Sequence, residues 1–277
     1  MNKSLNPNWP FLKMHGLGND FVILDWRKAA LGLPAPLITG LADRHRGVGF
    51  DQLAVIESGT GDAHLRFFNA DGSVSAACGN ATRCIGRYLM DELEKSSLHL
   101  TTDRGALRAK KSADGFVSIN MGQPLLTWQD IPLSKAMETL VLPIKGDPSA
   151  TGMGNPHCTF FVEDIATINL EADAAPIEHH PLFPERTNVQ FAQVIGKDHI
   201  RMRVWERGVG VTLASGSSSC ATAVAAARRG LTGRSVKIDV EGGSLEIDWR
   251  EDGVWLTGPT MHVFSGHLTT QFLDSLR

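Results

Sequence analysis

Two segments of this sequence, one in each half, carry residue types able to move a proton. The first is Phe68-Asn69-Ala70-Asp71-Gly72, followed by Ala77-Cys78-Gly79-Asn80-Ala81-Thr82-Arg83-Cys84. The second is Trp205-Glu206-Arg207-Gly208-Val209-Gly210, followed by Ala214-Ser215-Gly216-Ser217-Ser218-Ser219-Cys220. Each is a polar turn, a short connector, and then Cys-Gly or Ser-Gly opening a helix-like run. The free N–H groups and the dipole at a helix start favour an anion, either a ligand carboxylate or a thiolate. Cys78 therefore stands where thiolate is favoured over thiol, and Gly79 lets the backbone approach a ligand closely. Two such groups acting on one small molecule can take a proton from one face of a carbon and return it to the other. A Cys-Gly-Asn turn is a poor place for a core residue. Cys84, Cys158 and Cys220, among apolar or small neighbours, read as buried side chains.

Deprotonating the α-carbon of an amino acid usually calls for an electron sink such as pyridoxal phosphate on a lysine. No lysine here stands in a recognisable motif. Without a sink, a carbanion must be stabilised by dense hydrogen bonding in a dry cavity. That predicts neutral polar residues on glycine-rich turns, and four such turns are present: His15-Gly16-Leu17-Gly18-Asn19-Asp20-Phe21, Gly47-Val48-Gly49-Phe50-Asp51-Gln52, Gly154-Asn155-Pro156-His157 and Glu185-Arg186-Thr187-Asn188. Taken singly, each reads as an ordinary Asx turn. The Gly16/Gly18 pair lacks the third glycine of a dinucleotide fingerprint, and Cys78 and Cys84 are not spaced as a zinc knuckle. Neither a cofactor nor a metal is expected.

The elements that must position these groups repeat as well. Leu98–Thr102 leads through Asp103-Arg104-Gly105 into Ala106–Ala109, and then through Ala113-Asp114-Gly115 into Phe116–Ile119. Val236–Val240 leads through Glu241-Gly242-Gly243 into Ser244–Ile247, and then through Glu251-Asp252-Gly253 into Val254–Leu256. Such strands joined at tight glycine turns read as antiparallel hairpins. Gly79 to Glu94 carries a helical stripe of Ile85, Tyr88, Leu89 and Leu93. Ser217 to Arg229 is alanine-rich and ends in Arg228-Arg229-Gly230, a basic last turn before a glycine stop. The expected fold class is α+β: two pseudo-symmetric halves, each a central helix packed in a curved, mostly antiparallel sheet. The expected division is 1–122, completed by 264–277, and 123–263, with a strand-poor connector from Ile131 to Asp147.

The 277 residues are 42% apolar and 21% charged, with net charge −3 and a pI of about 6.4. That composition is ample for a core and gives no reason to expect nucleic acid or an anionic membrane as partner. No apolar run approaches the roughly 20 residues of a membrane span. The N-terminal Met1–Pro10 is polar, without the apolar core of a secretory signal. Four cysteines in a chain this long do not make a disulfide framework, so a cytoplasmic setting is expected.

Taken together, Met14–Phe21, Gly49–Gln52, Phe68–Ser73, Cys78-Gly79-Asn80, Gly154–His157, Asn188 and Glu206-Arg207-Gly208 resemble the motifs of the diaminopimelate epimerase family, from Lys13 to about Val263. The resemblance implies two halves that close on substrate. It implies cofactor-independent interconversion of LL- and meso-diaminopimelate by two-base proton transfer at the α-carbon, within lysine and cell-wall precursor synthesis. It places Cys78 and residue 215 as the acid/base pair, and Gly79, Asn80, Gly216 and Ser217 on the α-carboxylate. Asn19, Gln52, Asn69, Asn155, Asn188, Glu206 and Arg207 would line the site for a small diamino-dicarboxylate, with Arg207 on the distal carboxylate. His157 and Glu206 would tune the acid/base groups. The family's tendency to pair extends to an expected homodimer.

One position departs from the family. Ser215 stands where the family carries cysteine, and Ser218 stands where glycine or alanine is common. A hydroxyl is a far weaker acid than a thiol, so proton transfer at 215 is impaired. An engineered replacement, a slow or redirected natural enzyme (a racemase or dehydratase of another amino acid), and a non-catalytic amino-acid binder all stay open. So does a cysteine-nucleophile enzyme using Cys78 with His157 as base.

Overall fold

The computed structural model describes residues 8–28, 32–112 and 114–276. Residues 1–7 of the N-terminal segment and Ala113 of the second glycine turn lie outside them. The chain forms two compact units, Met1–Val117 with Thr260–Arg277, and Ser118–Pro259. The first holds β1 (Asn8–Gly16), β2 (Asn19–Asp25), α1 (Ala35–Ala42), β3 (Gln52–Glu57), β4 (Ala63–Asn69), β5 (Val74–Ser75), α2 (Gly79–Glu92), β6 (Ser97–Thr102) and β7 (Gly105–Lys111). β8 (Val117–Asn120) opens the second, which continues with β9 (Ser149–Gly152), β10 (Pro156–Phe161), a 3-10 turn (Ile165–Thr167), α3 (Leu170–Glu178), β11 (Asn188–Gly196), β12 (His199–Glu206), β13 (Gly210–Thr212), α4 (Gly216–Arg228), β14 (Ser235–Val240), β15 (Gly243–Arg250) and β16 (Gly253–Gly258). β17 (Met261–Thr269) and α5 (Thr270–Ser275) belong to the first unit, where β17 pairs antiparallel with β1.

The same wiring is built twice. In the first unit β1 pairs β2 antiparallel, β2 pairs β3 in parallel, β3 pairs β4 antiparallel, β4 pairs β5 antiparallel and β6 in parallel, and β6 pairs β7 antiparallel. In the second, β9 with β10, β10 with β11, β11 with β12, β12 with β13 and β14, and β14 with β15 repeat those pairings in the same senses. The hairpins expected at Gly105 and Gly243 are present. The parallel pairs are what the hairpin reading lacked. A parallel neighbour needs a crossover, and α1, α3 and the central helices α2 and α4 supply it.

Each central helix is held at both ends. α4 is buried nearly all round by small side chains, Ser218 through Ala226. A helix buried on nearly every face belongs inside a core, and its small alanine, serine and glycine residues let strands come close. Arg229 caps it and Gly230 has φ +68°, with Gly230 N–H on Ala227 O at 3.1 Å and Leu231 N–H on Ala226 O at 3.0 Å. This double closure satisfies carbonyls the helix leaves open, and glycine takes the left-handed residue without strain. α2 closes the same way with Lys95 N–H on Met90 O at 3.0 Å, but Glu94 takes the left-handed position at φ +55°. The connector from 131 to 147 has neither helix nor strand, yet Ile131, Leu133, Leu142 and Ile144 are buried in one cluster with Leu170, Phe183 and Phe191.

Candidate active site

Cys78 is the N-cap of α2. Its backbone is extended (φ −145°, ψ 110°), its sulfur accepts the Ala81 N–H at 3.4 Å, and Thr82 Oγ1 donates to its carbonyl at 2.7 Å. Ser215 is the N-cap of α4 with the same backbone (φ −132°, ψ 117°), and Ser219 Oγ donates to its carbonyl at 2.9 Å. The side chains differ. Cys78 caps its helix. Ser215 turns away and donates to Glu206 Oε2 at 2.9 Å, while Thr212 Oγ1 donates to Glu206 Oε1 at 2.6 Å. Cys78 is half-buried and Ser215 is buried. Gly79 and Asn80, and Gly216 and Ser217, form the first turns whose N–H groups point out of each helix.

In the first unit the expected polar residues form two hydrogen-bonded chains. Gln52, beside Phe21 in the parallel register, donates from Nε2 to Asn69 Oδ1 at 2.9 Å. Asn69 Nδ2 in turn donates to Ser73 Oγ at 3.0 Å. Asn80 Nδ2 donates to Asn19 Oδ1 at 3.1 Å, and Asn19 Nδ2 donates to Asp51 Oδ2 at 2.9 Å. Behind them Arg44 pairs with both oxygens of Asp20, at 2.8 and 3.0 Å, and with Asp51 at 2.8 Å; Lys13 donates to Asp20 at 2.6 Å. Burial alone would raise the Asp20 carboxyl, but the hydrogen bonds and charges of Arg44 and Lys13 outweigh it and hold it at about 2. Gly16 fits against this site by lacking a side chain: a Cβ there would meet Arg83 Nη2 at 3.0 Å and Asn80 Cβ at 3.5 Å.

In the second unit His157 and Asn188 face each other across β10 and β11. Gln190 Nε2 directs one hydrogen to Ser218 Oγ at 3.0 Å and one to His157 Nδ1 at 3.1 Å, and Thr159 Oγ1 donates to Gln190 Oε1 at 3.1 Å. His157 Nδ1 is then an acceptor, so Nε2 carries the proton and donates to Asn155 Oδ1 at 2.9 Å. His157, Gln190, Thr159 and Ser218 are all fully buried. Asn188 spans two backbone segments, donating to Pro156 O at 2.9 Å and accepting the Arg207 N–H at 3.0 Å, and Arg207 Nη1 donates to Glu185 O at 2.9 Å. The expected polar side chains thus fall into several short hydrogen-bonded groups: Gln52 with Asn69 and Asn80 with Asn19 in the first unit, and His157 with Asn155, Asn188 with Arg207, and Glu206 with Ser215 in the second. Gln190, Thr159, Arg44, Asp20, Asp51, Thr82 and Ser219 hold those groups and were not singled out as site residues. Asp20 and Asp51 lie in the glycine-rich turns noted above, and Thr82 and Ser219 carry the signal of a hydroxyl four residues after each helix cap; Gln190, Thr159 and Arg44 had none.

The sequence profile described as Diaminopimelate epimerase matches residues 11–127 and 149–263. The chain belongs to the diaminopimelate epimerase family. It is 49% identical over 271 residues to the diaminopimelate epimerase of Rhodospirillum centenum, covering 95% of this chain and 93% of that protein. It is 48% identical over 271 residues to that of Acidiphilium cryptum, covering 95% and 98%. Among solved structures, a Bacillus anthracis phenazine biosynthesis protein of the PhzF family superposes with TM-score 0.68 at 15% identity, covering 94% of this chain and 99% of that one. A hydroxyproline epimerase from Agrobacterium vitis gives 0.66 at 14%, covering 95% and 93%. At such identities these likenesses establish the fold, the two pseudo-symmetric α+β halves described above. Among the described residues no helix is long and apolar enough to cross a membrane, and no group of three or more His, Cys, Asp or Glu could hold a metal ion.

Proposed function

We propose that this chain is an isomerase acting on diaminopimelate, which moves the α-proton between the groups at its two helix starts without pyridoxal phosphate. The observation that carries the reading is the duplicated helix start. Cys78 and Ser215 share backbone conformation, position before the helix, and a hydroxyl on their own carbonyl from four residues on, in a chain that belongs to the diaminopimelate epimerase family. Cys78 as thiolate takes the α-proton, and the N–H groups opening α2 and α4 receive the α-carboxylate. The amides of Asn19, Gln52, Asn69, Asn80, Asn155 and Asn188, with Glu206 and Arg207, recognise the remaining amino and carboxyl groups.

Ser215 makes the two directions unequal. A hydroxyl delivers a proton to a carbanion poorly and abstracts one far more poorly, so turnover that begins with abstraction at 215 is very slow. The cysteine-nucleophile alternative is disfavoured by the surroundings of His157. Its ring is fully buried and its Nδ1 lone pair is committed to Gln190, so it is poorly placed to serve as a base for a thiol.

The test is α-hydrogen exchange in deuterated water, with LL- and meso-diaminopimelate separately and with proline and hydroxyproline as comparison substrates. Exchange confined to diaminopimelate, and faster from one stereocentre, is the expected result. Exchange of the cyclic amino acids alone would replace this reading with a racemase of another substrate. Tight binding of diaminopimelate with no exchange at any pH would reduce the protein to a binder.

A further inference from the structure

Glu178 is the last residue of α3 and takes no part in the proposed chemistry, yet its side chain is only 5% exposed. Oε1 accepts the Gly208 N–H at 2.9 Å and Arg186 Nη1 at 3.4 Å, and Oε2 accepts the Trp205 indole N–H at 2.7 Å. Its main-chain carbonyl accepts the Thr187 N–H at 3.2 Å. Trp205 lies on β12, and the other donors belong to two loops. One is Glu185–Asn188, where Arg186 sits at φ +61°. The other is the turn after β12 that follows Glu206 and carries Arg207 and Gly208. Arg207 already ties the loops together through Glu185 O and Asn188 Oδ1.

A backbone N–H, an indole N–H and a guanidinium can only donate, so none of these hydrogen bonds can be reversed. A buried carboxylate is costly unless its donors are held in good geometry. Here those donors are a backbone N–H of the Arg207 turn, the indole next to Glu206, and the arginine two residues before Asn188. We infer that Glu178 is a positioning residue that fixes the Arg207 turn and the Asn188 loop in the form that receives the substrate's distal carboxylate. This rests on the role proposed above for Arg207 and Asn188.

Glu178→Gln is nearly isosteric but presents an NH2 to either Gly208 N–H or Trp205 Nε1–H, donor against donor. Two measurements on the full chain separate this inference from the functional reading. Without ligand, amide hydrogen exchange at 206–209 should accelerate about tenfold or more in Glu178→Gln, with β10 unchanged. With ligand, the Kd of diaminopimelate by calorimetry should rise about tenfold, with a larger effect on KM than on kcat in the exchange assay. In the Arg207→Ala background, Glu178→Gln should add almost nothing to Kd, because both act on one contact.

Unchanged exchange at 206–209 overturns the inference whether or not the protein binds diaminopimelate. So does accelerated exchange with an unaltered Kd in a chain whose wild type binds, because that describes a residue that merely stabilises. If Glu178→Gln does not fold, Trp205→Phe removes the Oε2 donor alone and should raise both quantities a few-fold; no change in either would equally sink the idea.

Discussion

The hydroxyl of Ser215 donates to Glu206 Oε2 at 2.9 Å, with the other Glu206 oxygen held by Thr212. At the equivalent place in the other unit, the Cys78 sulfur instead accepts an N–H of its own helix. The same cap position thus hosts an acceptor in one repeat and a donor in the other. The Cys78 sulfur is held by an N–H of the helix start. A proton on 215 is supported by a carboxylate. The asymmetry follows from residue type, because the backbones at the two positions agree.

Thiol reactivity should divide sharply. Burial pushes the Cys84 thiol up to about 12 and raises that of Cys158 as well, and Cys220 is fully buried. Only Cys78 is part-exposed at a helix start. Iodoacetamide on the native protein, followed by peptide mass spectrometry, should label Cys78 at least tenfold faster than the other three. Comparable labelling of Cys84 would contradict the burial of α2.

His157 should carry its proton on Nε2, opposite the Nδ1 that faces the Gln190 amide hydrogens. The 15N spectrum of selectively labelled protein should show Nδ1 unprotonated at pH 7. Gln190→Glu, which replaces the donor facing Nδ1 with acceptors, should move a proton onto Nδ1. An Nδ1–H tautomer in the wild type would mean that the Gln190 and Asn155 amides are turned round together.

Acid should expose the Asp20 network. Its carboxyl is held at about 2 in the fold, against about 3.9 in an unfolded chain. A depressed carboxyl contributes stability that is complete above the unfolded value and is lost as pH falls from about 4 through about 2. Asp20→Asn should cost about 1–2 kcal/mol in urea melts at pH 7, with the gap narrowing below pH 3. A gap that is constant with pH would deny the charge its role.

Glu94 ends α2 in the left-handed conformation at φ +55°, where the matching residue after α4 is glycine. Glu94→Gly should raise unfolding stability by about 0.5–1 kcal/mol, read as a shift in denaturation midpoint with unchanged slope. Destabilisation would show that the Glu94 side chain makes a contribution the backbone geometry does not reveal.

The central helices were legible because their ends carry local chemistry: Cys78-Gly79 and Ser215-Gly216 at the starts, and Gly230 at a stop. The hairpins were legible from Gly105 and Gly243. α1 and α3 were not. α1 is eight residues opening at Pro34-Ala35-Pro36, and α3 carries Pro176 inside it, so neither displays an uninterrupted helical stripe. The parallel pairs those helices make possible were hidden with them. The site's direct polar residues stood out by type on glycine turns. Their supports did not, because Gln190 is 28 residues from Ser218 and Glu178 is 30 from Gly208. Only the packing of a helix against a strand or turn brings such partners together, and no local pattern announces it.

The most direct test of the account is the α-hydrogen exchange of LL- and meso-diaminopimelate in deuterated water, comparing the wild type with Ser215→Cys. The wild type should exchange one stereocentre through Cys78 with little inversion, and Ser215→Cys should raise inversion by about a hundredfold or more. Equal exchange of both stereoisomers with Ser215 in place, or no gain in inversion from Ser215→Cys, would contradict it.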